Sequence, residues 1–408
     1  MQLFINKSKI NVSSSLKITG SKSESNRILM LKALFEGLTI KNLSNSDDST
    51  LMREAIWSKS DEIDIHHAGT AMRFLTAFFA TKTGRKTTLT GSKRMQERPI
   101  KILVEALKSL GADISYLKKE GYPPLQIIGK KITKHQVELD ANVSSQYISA
   151  LLLIGPVLPK GLELRLVGTI TSLPYIDMTL SLLNELGVNT VFKDNLIVID
   201  PYNEDVNKTF TVESDWSSAS YFYSIVALSP IGTQISLSSY KKTSLQGDSI
   251  LQDIYKNFGV ESRFQGTTLF IMKTNTNLPK LLKLDLSDSP DIAQTIVVTC
   301  LGLKIDCELV GLHTLKIKET DRLVALKNEI KKLGTTLAIT DHSLYLKSSN
   351  DLIPNVKIAT YNDHRMAMAF APLALKTPLS IENAEVVSKS YPDFWRDLSS
   401  LGFEINQK

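Results

Sequence analysis

Cations recur at one kind of place in this chain, at the polar start of an apolar run. "GSKSESNR" offers Lys22, Ser23 and Arg27, and "HAGTAMR" offers Gly69, Thr70 and Arg73, with Arg94 and Arg98 close by in "SKRMQERPI". Further on stand Ser144, Ser145 and Gln146 in "SSQYISALL", Ser172 and Tyr175 in "TSLPYID", and Asp291 in "PDIAQT". "KIKETDR" adds Lys318, Glu319 and Arg322, "YNDHRMAMAF" adds His364 and Arg365, and "SKSYPDFW" adds Lys389. The first turn of a helix has unpaired N–H groups and a partial positive charge. Lysine, arginine and serine placed there suit a phosphate or carboxylate ligand. Two carboxylates, Asp291 and Glu319, stand among the cations, and that argues against simple anion binding.

Singly, each residue has a structural explanation. Ser144 and Ser145 are natural helix caps, and Arg27 and Arg73 could lie along the surface with their heads in water. The proline of "ERPIKIL" suits a first helical turn, and "KETDR" suits local charge pairing. Recurrence at the same place in unit after unit favours convergence on one ligand site.

The elements that must position these residues repeat. Six segments share a plan of polar start, about a dozen mostly apolar residues, a turn signal and a short β-branched strand, as in "GTAMRFLTAFFATKTGRKTTLTG" and "SSASYFYSIVALSPIGTQISLS". Thr70, Ser144, Ser217, Asp291 and Asp363 follow one another at intervals of 72 to 74 residues, whereas Arg27 to Thr70 spans 43. The first unit is therefore shortened or wraps round. Between these segments lie six amphipathic stretches, among them "PIKILVEALKSLGADI" and "GDSILQDIYKNFGVES", and five of the six end in Leu-Gly or Phe-Gly. The spacing predicts a buried helix, a strand, a half-exposed helix and a strand in each unit, with glycine ending the second helix. Six copies predict two domains of three units.

The 408 residues are 42% apolar and 22% charged, with a net charge of +6 and a pI of about 9.0. That is a soluble globular composition. No lysine- or arginine-rich run with interleaved aromatics points to nucleic acid. Two cysteines, Cys300 and Cys307, in apolar surroundings suggest a reducing compartment. The start "MQLFINKSKINVSS" lacks the apolar core and cleavage site of a signal peptide. "YISALLLIGPVL" is too short to span a bilayer. A cytoplasmic protein is expected, without a membrane partner. No cluster of His, Cys or Asp has ligand spacing, so neither metal nor cofactor is expected.

In order along the chain, "GSKSESNR", "HAGTAMR", "RMQERPI", "SSQYISALL", "LPYIDMT", "SSASYF", "QGD", "PDIAQT", "KETDR", "YNDHRMAMAF" and "SKSYPDFW" resemble the signature segments of the 5-enolpyruvylshikimate-3-phosphate synthases, from about Leu16 to Phe394. The resemblance implies an α/β protein with the two-domain enolpyruvyl transferase fold, an inverse α/β barrel in which each domain holds three βαββ-type repeats around buried helices. It implies one domain from 1–20 plus 214–408, a second from 21–213, and an active site in the cleft between them. The implied reaction moves the enolpyruvyl group of phosphoenolpyruvate to the 5-hydroxyl of shikimate 3-phosphate. A monomer acting on these two small molecules is expected.

Carried over by the same resemblance, Lys22 contacts both substrates near the transferring proton. Ser23 and Arg27 hold the shikimate carboxylate. Ser144, Ser145 and Ser172 hold its phosphate with Tyr175, and Gln146 lies against the ring and reaches phosphoenolpyruvate. Asp291 and Lys318 contact the hydroxyls, with Asp291 as base. Gly69, Arg98, Arg322, Arg365 and Lys389 bind phosphoenolpyruvate. Glu319 shuttles the C3 proton and His364 assists it. The sequence departs from the family pattern at His67, commonly asparagine, at Phe74, commonly proline, and at "TLK" (Thr314, Leu315 and Lys316), where Asn-x-Arg is usual. Phe74 could shift the helix that carries Gly69.

Two other readings compete. The related transferase that acts on UDP-N-acetylglucosamine places a cysteine in a mobile loop, but "SKRMQERP" has none, and Cys300 and Cys307 fall in helix and strand patterns. A non-catalytic basic module binding RNA or phosphorylated ligands would not need Asp291 and Glu319 among its cations.

Overall fold

The computed structural model describes residues 1–141, 144–168, 170, 173–348 and 351–407. The chain makes two compact units, Gly20–Val212 and the combination of Met1–Thr19 with Glu213–Lys408. Parallel strands cannot be joined by a hairpin and need a crossover, usually a helix. That rule organises both units.

In Gly20–Val212, Glu62–Asp64 and Lys86–Thr90 pair in parallel around the Gly69–Ala80 helix. Leu125–Ile128 and Asp113–Tyr116 extend this sheet antiparallel. Gln136–Asp140 and Leu162–Val167 do the same around Ser145–Ile154, followed by Leu196–Ile199 and Thr190–Lys193. The third repeat is short. Leu38–Lys41, after the Lys22–Leu34 helix, pairs in parallel with Lys208–Thr211 in a two-stranded sheet. The 43-residue interval has its physical reason there.

The other unit has three full four-stranded sheets. Leu281–Asp285 and Asp306–Val310 flank the Ala293–Leu303 helix, and Val356–Ile358 and Leu379–Ile381 flank His364–Phe370. Ser13–Leu16 pairs in parallel with Gln234–Leu237, which follows the Trp216–Leu228 helix. One sheet is completed by the start of the chain. Leu3–Ile5 lies between Leu379–Ile381 and Ile405–Gln407, antiparallel to both.

The crossover helices are apolar on nearly every side, and they are buried as that pattern requires. Every residue of Gly69–Ala80 is buried, and in Trp216–Leu228 Ser217 is the sole exception. The second helices are two-faced. Lys101–Leu110 buries Leu103, Val104, Ala106, Leu107 and Leu110 and turns Lys101, Glu105 and Lys108 to water. Its stop is Gly111, at φ 110°, whose N–H bonds the carbonyls of Leu107 and Lys108. Only glycine adopts that left-handed cap without a Cβ penalty.

One expected helix is broken. "GDSILQDIYKNFG" forms a 3-10 turn Gly247–Ile250, a single α-turn Leu251–Ile254 and a second 3-10 turn Tyr255–Phe258. Leu251, Ile254, Tyr255 and Phe258, which carry the spacing of one α-helical face, are nonetheless all buried. Its start is pinned by Gln246, whose Oε1 accepts from the backbone N–H of Trp216 at 2.9 Å.

Gly20 stands at the entry to its unit. A Cβ there would lie 1.9 Å from the carbonyl oxygen of Asn42 and 2.8 Å from a Val212 methyl. Gly20→Ala is expected to destabilise the protein by about 1–3 kcal/mol through forced displacement of backbone. A urea midpoint equal to wild type would contradict this.

Candidate active site

In the unit that contains residues 213–408, the polar helix starts are joined by one guanidinium. Arg322 opens the Arg322–Lys332 helix, behind an Asp321 cap that accepts from the N–H groups of Leu323 and Val324. A cation at a helix N-terminus is disfavoured by the helix dipole, and burial disfavours it further. Three carboxylates compensate. Nε donates to Asp363 Oδ2 at 2.7 Å, Nη1 to Asp291 Oδ1 at 2.7 Å and Nη2 to Glu319 Oε2 at 2.8 Å. Desolvation works against the charge of Arg322, but Asp363, Glu319 and Asp291 raise its pKa above the ordinary arginine value.

Asp291 is itself surrounded by cations. Besides Arg322, Lys318 Nζ lies 3.5 Å from its Oδ1, and Arg365 Nη2 lies 3.1 Å from its Oδ2. Desolvation pushes the Lys318 amine down, opposed by Asp291. Arg365 Nη2 also donates to Ser217 Oγ at 3.3 Å, and the Ser217 hydroxyl donates to Asp248. The buried Arg365 Nε has no hydrogen-bond partner among the described residues. Asp363 does two jobs: Oδ1 caps its helix by accepting from the Arg365 N–H at 2.8 Å, and Oδ2 holds Arg322. It is delivered by Tyr361 and Asn362, both left-handed, at φ 54° and 56°. Lys389 Nζ donates to the Asn362 carbonyl at 2.6 Å. His364 is buried beside this cap, its Nδ1 4.0 Å from Asp363 Oδ1.

In Gly20–Val212 the cations are held differently. Arg27 is buried, and Nε donates to Thr179 Oγ1 at 2.8 Å, Nη1 to the Ser23 carbonyl at 2.9 Å, and Nη2 to Ser149 Oγ at 2.8 Å and the Tyr175 carbonyl at 3.2 Å. Its carbon lies over the rings of Phe74 and Tyr175, 5.5 and 5.8 Å from their centroids. Arg73, also buried, donates to the carbonyls of Gly69 and Pro99. Among the described residues, neither guanidinium has a carboxylate within ion-pair distance. Burial lowers each to about 10, and Arg98 adds repulsion at Arg73. Glu24 opposes the drop at Arg27 from beyond ion-pair distance. Two buried guanidinium groups with no carboxylate at ion-pair distance are a place for an anion.

The remaining predicted residues of this unit lie at helix starts. Lys22 is the first residue of its helix, with Nζ 3.6 Å from Asp48 Oδ2, and Ser23 follows it. Asp48 also lies near His67, whose Nε2 is 3.9 Å from its Oδ1. Gly69 opens its helix, and a Cβ there would come within 2.5 Å of Arg98 Nη1. Glycine lets the Arg98 guanidinium lie against that helix terminus. Ser144 caps its helix through the Gln146 N–H, Ser145 is buried, and Gln146 Nε2 donates to Thr70 Oγ1 at 3.3 Å. Tyr175 lies in the Leu173–Leu186 helix. Ser172 is outside the described residues.

Capping therefore explains Ser144 and Asp363 but not Gly69, Thr70 or Asp291. Sequence reasoning missed Asp48, Ser149, Thr179, Ser217 and Asp248, and used Asp363 only to mark a repeat. Ser149 had a readable signal, as a polar residue within a nearly all-apolar helix, whereas Thr179 sits in an amphipathic helix and had none. Asp48 and Asp248 had none, since a carboxylate near a helix start reads as solvent-facing.

The fold defines the class. An EPSP synthase structure from Acinetobacter baumannii aligns over 100% of both chains with a TM-score of 0.81 at 20% identity. The enolpyruvyl transferase NikO from Streptomyces tendae aligns over 100% of this chain and 98% of its own with a TM-score of 0.75 at 13% identity. At such identities the likeness speaks for the fold, which is that of the enolpyruvyl transferases. The sequences go further. The family model for EPSP synthase (3-phosphoshikimate 1-carboxyvinyltransferase) matches residues 53–398. A 3-phosphoshikimate 1-carboxyvinyltransferase from Bacteroides fragilis is 46% identical over 401 residues, 97% of this chain and 96% of that one. One from Mannheimia haemolytica is 34% identical over 425 residues, 96% of this chain and 97% of that one. The chain belongs to the EPSP synthase family.

The Asp248 carboxyl gives a measurable consequence. Burial raises it to about 6, Asp291 adds to the rise, and Arg365 and the Ser217 hydroxyl oppose it. The folded state thus holds this proton more tightly than the unfolded chain, and stability falls as pH rises from about 4 to about 6. Asp248→Asn is expected to flatten the melting temperature across that window. Parallel wild-type and variant curves would show that Asp248 does not titrate there.

Proposed function

We propose that the two clusters divide the work of the family's reaction, in which the enolpyruvyl group of phosphoenolpyruvate passes to the 5-hydroxyl of shikimate 3-phosphate. The C2–O bond to the acceptor forms as C3 takes a proton. The C2–O bond to phosphate then breaks as C3 gives a proton back, so the net proton released is that of the hydroxyl. The substrates carry two phosphates and two carboxylates. Like charges side by side repel strongly away from bulk water, and cations must offset them.

In this reading Arg27, Ser23, Ser144, Ser145, Ser172, Gln146 and Tyr175 hold shikimate 3-phosphate. The lack of carboxylate partners at Arg27 and Arg73 supports anion binding in that unit. Lys22 contacts both substrates, and Gly69, Arg98, Arg322, Arg365 and Lys389 hold phosphoenolpyruvate. The uncommitted Nε–H of Arg365 is a donor for such an anion. Asp291 accepts the hydroxyl proton, Lys318 steadies the hydroxyls, Glu319 carries the C3 proton and His364 supports it. The reading requires both clusters to engage the same substrate pair.

One observation carries it: Arg322 holds Asp291 and Glu319 on its two terminal nitrogens, so the two carboxylates proposed to move protons are neighbours in a cation-rich setting. General acid–base groups of this kind contribute about 10²–10⁴-fold to rate. Asp291→Asn is therefore expected to lower phosphate release from phosphoenolpyruvate by about that factor while both substrates still bind. Turnover equal to wild type would remove Asp291 as the base.

Lys22→Met tests the other unit. A turnover loss of about 100-fold or more is expected with an unchanged melting temperature, since among the described residues Lys22 makes only one long ion pair, to Asp48. A wild-type rate would take Lys22 out of the site. UDP-N-acetylglucosamine in place of shikimate 3-phosphate should release no phosphate.

A further inference from the structure

The far ends of the same buried helices carry a second set of cations that the reaction does not use. A cavity of about 530 Å³ is lined by Lys7, Lys9 and Lys376 together with the apolar Ile10, Leu228, Pro230 and Leu375. Leu228 ends the Trp216–Leu228 helix, and Lys376 caps the 3-10 turn that follows His364–Phe370. Lys304, the left-handed cap of Ala293–Leu303, is close enough to Lys376 for their charges to repel. Lys273 is buried nearby, its Nζ donating to the Phe258 carbonyl at 2.5 Å.

Part of this arrangement has a structural explanation. A helix C-terminus carries about half a negative charge, which lysines offset. Three such termini supply roughly 1.5 negative charges, against five ammonium groups here. Among the described residues, none of Lys7, Lys9, Lys273, Lys304 and Lys376 has a carboxylate within ion-pair distance. The nearby Glu404 binds Asn6 Nδ2 instead, at 3.1 Å. The excess positive charge is also felt within the set. Partial desolvation lowers Lys376, with Lys7 and Lys304 adding to it, and burial with Lys376 lowers Lys273 to about 8. The hydroxyls on the rim are already spent, since Ser8 Oγ donates to the Asn6 carbonyl and Ser229 Oγ to that of Ile225. What the cavity offers is therefore ammonium groups over an apolar wall.

We propose that this cavity is a second ligand site, which takes a small carboxylate with an apolar body. The body would lie on Ile10, Leu228, Pro230 and Leu375 and the carboxylate between Lys7 and Lys376. The site is distinct from the catalytic cluster of the same unit. Ser217 and Leu228 are the near and far ends of one helix, about 17 Å apart at 1.5 Å per residue.

The test uses 3-phenylpropionate, its neutral counterpart 3-phenylpropanol, and inorganic phosphate, titrated into the full chain by calorimetry. Saturable binding of the carboxylate is expected. It should weaken by about tenfold or more in the doubly substituted Lys7→Ala, Lys376→Ala protein. The alcohol should bind far less tightly than the carboxylate, and phosphate should not displace it. Unchanged enolpyruvyl transfer in the double variant confirms an intact fold and catalytic cluster. No saturable binding of the carboxylate, equal binding to the variant, equal binding of the alcohol, or displacement by phosphate would each overturn the proposal.

Discussion

The charge cluster of the larger unit, proposed above as the acid–base centre, depends on one buried guanidinium that satisfies three carboxylates at once. Arg322 takes Asp363 from the start of one buried helix, Asp291 from the turn ahead of another, and Glu319 from the loop before its own helix. Without the cation, three carboxylates crowded together would repel, and at least one would take up a proton. Without one carboxylate, a buried charge would lose part of its compensation, a loss of about 3–5 kcal/mol for buried pairs. An apolar core of the same volume could be as stable. What the ionic arrangement adds is carboxylates held in fixed directions, as the proposed proton transfer requires.

The smaller unit solves the opposite problem. Arg27 and Arg73 are buried with carbonyls, hydroxyls and ring faces in place of carboxylates. Those partners take up the N–H groups of Arg27 and the terminal nitrogens of Arg73 without cancelling the charge, and the buried Nε of Arg73 has no hydrogen-bond partner among the described residues. The positive potential is left for a ligand, at the cost of a guanidinium pKa lowered to about 10. One unit holds acids paired with a buried cation and the other holds buried cations with no carboxylate at ion-pair distance among the described residues, an arrangement that suits the proposed division of work.

Most of the fold was legible because its signals are periodic. Apolar runs placed the buried helices, and Leu-Gly pairs placed the ends of the exposed ones. The five glycines at 111, 187, 259, 334 and 402 all take φ between 71° and 115°. The broken Gly247–Phe258 segment was not legible, because its apolar residues at 251, 254, 255 and 258 carry the spacing of an α-helix. Within the site, arginines and lysines announced themselves by position. Their partners did not. Asp48, Asp248 and Asp363 lie near helix starts, where an acidic residue is expected in any case. Only the fold shows that Asp363 holds Arg322 as well as capping its helix. The pairing of Leu3–Ile5 with the last strands is a long-range contact that no local pattern reveals.

The departures from the family pattern can now be weighed by what they touch. Phe74 does not disturb the helix that carries Gly69, which runs unbroken from Gly69 to Ala80. Its ring instead lies under Arg27, where a proline would present less surface and no aromatic face. A ring face favours the charged guanidinium in a desolvated place, by roughly 0.5–2 kcal/mol. Phe74 therefore acts on Arg27 rather than on Gly69. His67 and Lys22 both lie near Asp48, at 3.9 and 3.6 Å from its two carboxylate oxygens. Thr314 is different, since its hydroxyl is buried with no hydrogen-bond partner among the described residues. A short hydroxyl there cannot reach as far as an asparagine amide would, so the proposed hold on the substrate hydroxyls rests on Lys318 and Asp291 rather than on Thr314.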